Sequence, residues 1–310
     1  MAKPLVIRGV VPVLRPASLD LHEYRVRLLG STATVTLLHG FYEVRGFKLL
    51  VQEDPGSPSV SIVDGEGLRI VSLGKKMCRY HEGRAGPLTA WRFCTRPAVT
   101  VSGFCMDHRS STQALYERCN AGRIDACLVV DTAWRGERYS VYLLDYGSRS
   151  LKVGLTRTWR LAYRLAEQPH LAAVELGRFN SLYEARMTER RIGRGRGFTE
   201  GVGVERSGRL GRVLESLERM GARAAEEAAG RLAEALCRLR GAVARGERRN
   251  CITMLPGLDP REFIEARRVR GPEPPIRLLG YWAGVFLAED GGGSRVVFEA
   301  SQLLHRVAYT

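Results

Sequence analysis

Lysine is almost missing from this 310-residue chain: of 48 basic residues only five are lysines, Lys3, Lys48, Lys75, Lys76 and Lys152. Arginine therefore carries the formal charge of +15 that remains after 33 acidic residues are subtracted. Guanidinium forks grip phosphate oxygens at two points and stack on bases, so the surplus points to a polyanionic partner, RNA or DNA. The competing explanation is compositional. Arginine usage can follow base composition or a hot habitat, and Arg/Glu pairs would then form surface ion-pair networks. A net excess of this size goes beyond what composition alone requires.

Long hydrophobic runs are also absent. The longest, LLGYWAGVFLA from Leu278 to Ala288, is about half of the ~20 residues that a bilayer-spanning helix needs. The opening stretch MAKPLVIRGVVPVLRP has neither the continuous apolar core nor the small-residue cleavage site of a signal peptide. No internal repeat or useful heptad is visible. The expectation is a cytoplasmic protein with no membrane partner, in which seven cysteines suit metal binding better than a disulfide framework.

Metal chemistry is concentrated between Met77 and Arg109, where three cysteines and two histidines fall in MCRYHEGRAGPLTAWRFCTRPAVTVSGFCMDHR, closed by Cys105-x-x-His108. Thiolates and imidazoles around a tetrahedral ion can hold together a loop too polar and too rich in Gly and Pro to fold on apolar content, and Zn²⁺ is the usual occupant of such a mixed set. The expected ligands are Cys78, Cys94, Cys105 and His108. His81 competes with Cys94 for the fourth place. Cys94 is preferred because CTRPAVTVSGFC reads as a strand-turn-strand joining two ligands, whereas His81 adjoins Glu82 and Gly83 in an open turn. The plain alternative is unconnected, partly buried cysteines.

At this length the chain can bury a real core and divide into two or three domains, so zinc would be a local staple. The fold class is expected to be α+β. Residues 1–73 alternate short apolar runs with turn clusters such as DPGSPS, which reads as a β domain; residues 74–130 carry the zinc segment. Residues 131–193 read as a ββαβα unit: strands Tyr139 to Leu144 and Leu151 to Leu155, a helix from Arg157 to Gln168, a strand from Ala172 to Leu176 and a helix from Ser181 to Ile192. Residues 194–255 begin as a mobile Gly/Arg linker and continue as amphipathic helices, a hairpin or one long helix. Leu210, Val213, Leu214, Leu217 and Met220 form one stripe there, and Leu232, Leu236, Leu239 and Val243 another. Residues 256–310 are β again, read as Leu278 to Leu287, then Arg295 to Glu299 and a final Leu303 to Tyr309, and could pair with the N-terminal strands.

The segment YSVYLLDYGSRSLKVGLTRTWRLAYRLAEQ, followed by NSLYEARMTERR, resembles the catalytic core of the GIY-YIG nucleases. Val141-Tyr142-Leu143 stands where GIY would be, and Lys152-Val153-Gly154 stands where YIG would be. The resemblance implies Tyr142 as the base-side tyrosine, Arg164 as the phosphate clamp and Glu184 as ligand to Mg²⁺ or Mn²⁺. Lys152 replaces the second tyrosine. A lysine there could clamp phosphate, or act as a base if Arg157 and Arg164 depress its pKa, or mark a fold that kept its phosphate-binding surface and lost cleavage. The whole chain is also similar to an uncharacterised prokaryotic domain-of-unknown-function family that combines an N-terminal β segment, a Cys-rich zinc segment and the phrase LKVGxTR, here Leu151 to Arg157. That likeness extends to Gly280 to Leu287, and lysine in the phrase looks typical of the family.

Each candidate also has an ordinary structural role. Tyr142 can be a half-buried sheet tyrosine and Lys152 an edge-strand gatekeeper. Arg160 and Arg164 share a helix face that suits a phosphate or the carboxylate of Glu167, and Glu184 is one helix glutamate among many. Asn250 could supply a late asparagine of the superfamily, in a register the sequence leaves open. Cys119 and Cys127 are too far apart for a knuckle and read as buried thiols or a disulfide, with a second metal site including His81 as a remoter option. Cys237 and Cys251 read as core residues. The expected function is a zinc-containing protein that binds a DNA or RNA backbone through Lys152, Arg157 and Arg160, with a ribosome among the possible partners. An active metal-dependent endonuclease is the alternative, and a protein-protein adaptor a third, weaker one.

Overall fold

The computed structural model describes residues 2–28, 31–82, 90–200, 208–239 and 249–310. In chain order the first elements are β1 (Pro4–Leu28), β2 (Ser31–Gln52), β3 (Ser61–Asp64), β4 (Arg69–Ile70), β5 (Ser72–Lys76), β6 (His81–Glu82) and β7 (Arg92–Phe93). Next come α1 (Thr112–Asn120), α2 (Ile124–Ala133), β8 (Tyr139–Asp145), β9 (Leu151–Arg157), α3 (Leu161–Ala166), β10 (Ala172–Phe179), α4 (Leu182–Gly193) and β11 (Phe198–Thr199). The remainder is α5 (Gly208–Arg219), α6 (Ala222–Arg238), β12 (Arg249–Pro256), α7 (Pro260–Ile264), β13 (Arg267–Arg268), β14 (Ile276–Trp282), β15 (Val285–Asp290), β16 (Arg295–Glu299) and β17 (Arg306–Tyr309). The fold is α+β.

The chain forms two compact units, one of Met1–Val13, Val44–Arg118 and Gly257–Thr310, the other of Leu14–Glu43 and Cys119–Pro256. These cut across the five consecutive segments read from the sequence, because β1 and β2 are far longer than the short apolar runs suggested and each contributes to both units.

In the first unit the chain ends meet. β17 pairs with β1, Pro4 opposite Tyr309 and Val6 opposite Val307, and also with β5, while β14 pairs with β4. The apolar run at Leu278 to Ala288 is two strands rather than the single strand expected. Ala283 (φ 50°) and Gly284 (φ 83°) turn the chain between the paired residues Trp282 and Val285. Positive φ at both central residues of a two-residue loop matches the right-handed twist of the flanking strands. Phe47, Tyr281, Phe286 and Phe298 pack with Ile7, Leu49 and Val51 beneath this hairpin to form the core.

The second unit carries the sheet order β11-β9-β8-β10-β12-β2. Every residue of β8 is buried, which explains its nearly continuous apolar sequence: both faces are covered. β8 and β9 are antiparallel with Tyr142 opposite Gly154 and Leu144 opposite Lys152. A Cβ on Gly154 would lie 2.5 Å from the Tyr142 Cζ, so the tyrosine ring lies over a residue that must lack a side chain. The first helix of the ββαβα order is shorter than expected, since Thr158–Arg160 forms a 3₁₀ turn before α3.

Three further differences have local causes. The Gly/Arg stretch contains β11, which pairs in parallel with β9, Gly197 (φ 87°) providing the turn into it; residues 201–203 of that stretch and Val243 lie outside the described residues. The amphipathic region is two helices broken at Met220 and Gly221, with Val213, Leu214, Leu217, Leu232 and Leu236 buried. Helix α2 was not anticipated; its Asp131 accepts hydrogen bonds from Ser181 Oγ (2.7 Å) and from the backbone amides of Leu182 and Tyr183, at the start of α4. Cys119 and Cys127 form a disulfide, with Cα atoms 5.0 Å apart, between α1 and α2.

Candidate functional site

The side chains of Cys78, Cys94, Cys105 and His108 place one ligand atom each within 4.8 Å of all the others, a set that could hold a metal ion such as zinc. Cys78 Sγ lies 3.7 Å from His108 Nδ1, Cys105 Sγ lies 3.2 Å from the same nitrogen, and Cys94 Sγ lies 4.0 Å from Cys105 Sγ. Tetrahedral bonds of about 2.3 Å to sulfur and about 2.0 Å to nitrogen put neighbouring ligand atoms roughly 3.5–3.8 Å apart, so the donor set fits. His81 is elsewhere. It is in β6, paired with β7, and its ring stacks on Trp91 at 4.0 Å, so His81 and Glu82 are paired strand rather than the open turn expected; Gly83 lies outside the described residues. The run from Cys94 to Cys105 is likewise turns rather than a strand-turn-strand, held by Val99 and Thr100 amides donating to the Phe104 carbonyl.

Local structure presents the ligands. The Cys105 amide donates to Cys78 Sγ (3.2 Å) and the Arg96 amide to Cys94 Sγ (3.4 Å), and the His108 imidazole stacks on Tyr80 at 3.8 Å. Burial pushes the Cys78 thiol up to about 12 and raises Cys94, and it lowers His108. At Cys105 burial is outweighed by hydrogen bonds, those from the His108 and Asp107 backbone among them, which lower the thiol. Neutral imidazole is the ligating form, whereas Cys78 and Cys94 need a cation before they ionise, so metal binding and proton release are coupled here.

Arg8 stands behind this set. It is 4% exposed, and its guanidinium donates to the Cys78 carbonyl (2.9 Å), the Cys94 carbonyl (2.7 Å) and Gln52 Oε1 (2.9 and 2.5 Å), with Phe93 against its face. Among the described residues no carboxylate pairs with it. Three thiolates and one imidazole around a divalent ion leave a charge of −1, and a buried cation tied to two of the ligand residues balances it. Sequence reading missed Arg8 because nothing local to VIRGV distinguishes it from the other arginines; only the fold carries it 70 residues along the chain to Cys78.

In the second unit, Tyr142, Lys152 and Arg164 meet at a residue that sequence reading did not single out. Gln168 donates to the Tyr142 hydroxyl (2.9 Å) and to the Arg164 carbonyl (3.2 Å), while its Oε1 accepts from Lys152 Nζ (2.7 Å) and the Tyr146 hydroxyl (3.3 Å). Arg160 and Arg164 both bind Glu167, at 2.8 and 3.1 Å. Burial alone would raise Glu167, but these two arginines hold its carboxyl below the usual range. Tyr142 itself is 1% exposed, packed with Leu144, Tyr146, Leu165, Ala166 and Met254.

The other candidates lie apart. Arg157 is 5% exposed, its guanidinium held between Trp134 (4.9 Å) and Trp159 (4.7 Å). Glu184 is exposed on α4, where its amide donates to Ser181 Oγ (3.2 Å). Ser-x-x-Glu at a helix start is a capping pattern, and that local role accounts for both residue types. Among the described residues, no group of three or more His, Cys, Asp or Glu side chains able to hold a metal includes Glu184. Asn250 is exposed in β12.

No family model, no curated protein and no solved structure matches this chain. Its functional reading therefore rests on its own residues. Among the described residues, no helix is long and apolar enough to cross a membrane.

Proposed function

We propose that this is a zinc-containing protein that binds the phosphate backbone of RNA or DNA, using a GIY-YIG-like α/β unit for contact and the Cys₃His site as a structural staple. The observation that carries the reading is the gathering of Arg160, Arg164 and Lys152 beside the small sheet, three cations with Glu167 as the directly paired carboxylate. Guanidinium groups that are partly exposed can exchange a carboxylate for a phosphate without moving the backbone. The overall charge of +15 supports the same partner.

The convergence of Tyr142, Lys152 and Arg164 favours a second reading, an active metal-dependent endonuclease. Burial of the Tyr142 hydroxyl and the separate position of Glu184 weigh against it, so binding ranks first. The test uses zinc-loaded full-length protein with labelled structured RNA and DNA, with and without Mg²⁺ or Mn²⁺, beside Tyr142→Phe and Glu184→Ala. Binding that weakens steeply with salt, without cleavage, is the expected result. Metal-dependent cleavage abolished by either substitution would establish the nuclease instead, and no salt-sensitive binding to any substrate would overturn both readings. For the staple, Cys105→Ser should lose one equivalent of metal in elemental analysis; unchanged content would remove zinc from that site.

A further inference from the structure

Arginines in the second unit sort into two kinds. Some have carboxylate partners: Arg123 with Asp125, Arg178 with Glu175, Arg186 with Glu189 and Glu200, Arg223 with Glu227, Arg231 with Asp145. Others, such as Arg15, Arg25, Arg27, Arg135 and Arg138, are exposed with no ion pair to a described acidic residue, so it is place in the fold that singles out four of them. Arg149, Arg191, Arg194 and Arg196 are all exposed, and among the described residues none has an acidic partner. The acid that ends this stretch, Glu200, is taken by Arg186 at 3.2 Å.

The fold brings these four to one edge of the sheet. Arg191 and Arg194 are one turn apart at the end of α4, where the Arg194 amide still donates to the Arg190 carbonyl. The chain then turns at Gly195 and Gly197 into β11, the outermost strand of the order, whose Phe198 pairs with Leu151. Arg196 lies in the turn just before β11 and Arg149 in the bend just before β9, and the Leu151 amide donates to the Gly197 carbonyl at 2.9 Å. Arg238 lies against the Phe198 ring at 6.0 Å. Like charges gathered on a surface repel one another, and among the described residues no carboxylate is paired with these four. Attraction of basic groups to the negative end of a helix accounts for Arg191 and Arg194 but not for Arg149 and Arg196, which lie in the bend and the turn that lead into β9 and β11.

We propose that Arg149, Arg191, Arg194 and Arg196 form the docking surface for a nucleic-acid phosphate backbone. This rests on the binding function proposed above and places its main contacts at the β9–β11 edge rather than beside Tyr142. A polyphosphate chain satisfies four guanidinium groups at once and needs no pocket, which matches an exposed edge.

The test measures fluorescence anisotropy of a labelled single-stranded RNA and its DNA counterpart with the full-length protein across about 50–200 mM salt. The patch variant carries Gln at positions 149, 191, 194 and 196. A charge-matched control carries Arg123→Gln, Arg178→Gln, Arg223→Gln and Arg277→Gln. Each lost phosphate contact lowers the slope of log affinity against log salt by about 0.7–0.9, so the patch variant should lose about 3 in slope and more than about tenfold in affinity. The control should bind within about threefold of the native protein, since its arginines are already paired. Equal binding and equal slope in the two variants would overturn the docking surface while leaving the binding function standing. Failure of the native protein to bind either oligonucleotide, or binding of polyglutamate in their place, would overturn both. Arg149→Gln/Arg196→Gln, confined to the bend and turn before β9 and β11, should give about half the slope change and serves if the fourfold variant does not fold.

Discussion

Replacing Arg8 by methionine should loosen the metal centre and the unit around it. The side chain is 4% exposed and donates to three buried acceptors, the carbonyls of Cys78 and Cys94 and the Gln52 side chain. Burial pulls its own pKa down to about 10 against the pull of Cys78 and Cys94, so at neutral pH it remains a cation. Each acceptor left without a donor costs about 1–3 kcal/mol, partly offset because methionine need not be dehydrated as an ion; the net loss should be about 3–5 kcal/mol. Because two ligand residues lose their tether, zinc affinity should fall by about 10–100-fold. Competition with a chromophoric chelator measures the affinity, and urea unfolding of the metal-loaded protein measures the stability. Arg8→Lys keeps the charge but cannot reach all three acceptors, and should recover part of both. If Arg8→Met binds zinc as the native protein does, while Cys105→Ser does not, the charge-balance argument is refuted.

Gly154→Ala should cost about 1–3 kcal/mol by overpacking, because the new methyl would lie 2.5 Å from the Tyr142 Cζ and 2.6 Å from its hydroxyl; unchanged urea unfolding would show that the ring yields freely. His170 gives a pH dependence. Burial holds it down to about 4, with Nδ1 2.9 Å from the Gln168 carbonyl. The unfolded chain, titrating near 6.5, takes up the proton first, so this contribution is intact above about pH 6.5 and declines by up to ~3 kcal/mol as pH falls to about 4. His170→Gln should flatten that part of the stability–pH curve, and an identical slope in the variant would reject the assignment.

How much was legible varies with how local the signal was. The ββαβα order could be read because alternation, helical spacing and Pro169 all act within a few residues. The hairpin at Ala283 and Gly284 was misread as one strand because Trp-Ala-Gly-Val carries no standard turn pair, and the left-handed backbone at an alanine appears only once both strands are seen. The Cys/His cluster that could hold a metal was legible from residue chemistry, yet the choice of Cys94 over His81 was decided by β6 and β7, which turn His81 onto Trp91. Gln168 was invisible as a functional residue: glutamine has no distinctive pattern, and its role comes from two strands and a helix meeting around one amide.

Composition and local pattern by themselves determined the arginine surplus, the α+β class, the Cys and His residues open to a metal and the ββαβα order, since each depends on residue type and near-neighbour spacing. Tertiary structure alone decided which cations are neutralised. Arg8 pairs with a site far along the chain, Arg157 disappears between two indoles, and Arg149 and Arg196 are carried to the ends of two paired strands. Charge is written in the sequence, but the electrostatic effect of a charge depends on distance and burial, and those exist only after the chain has folded.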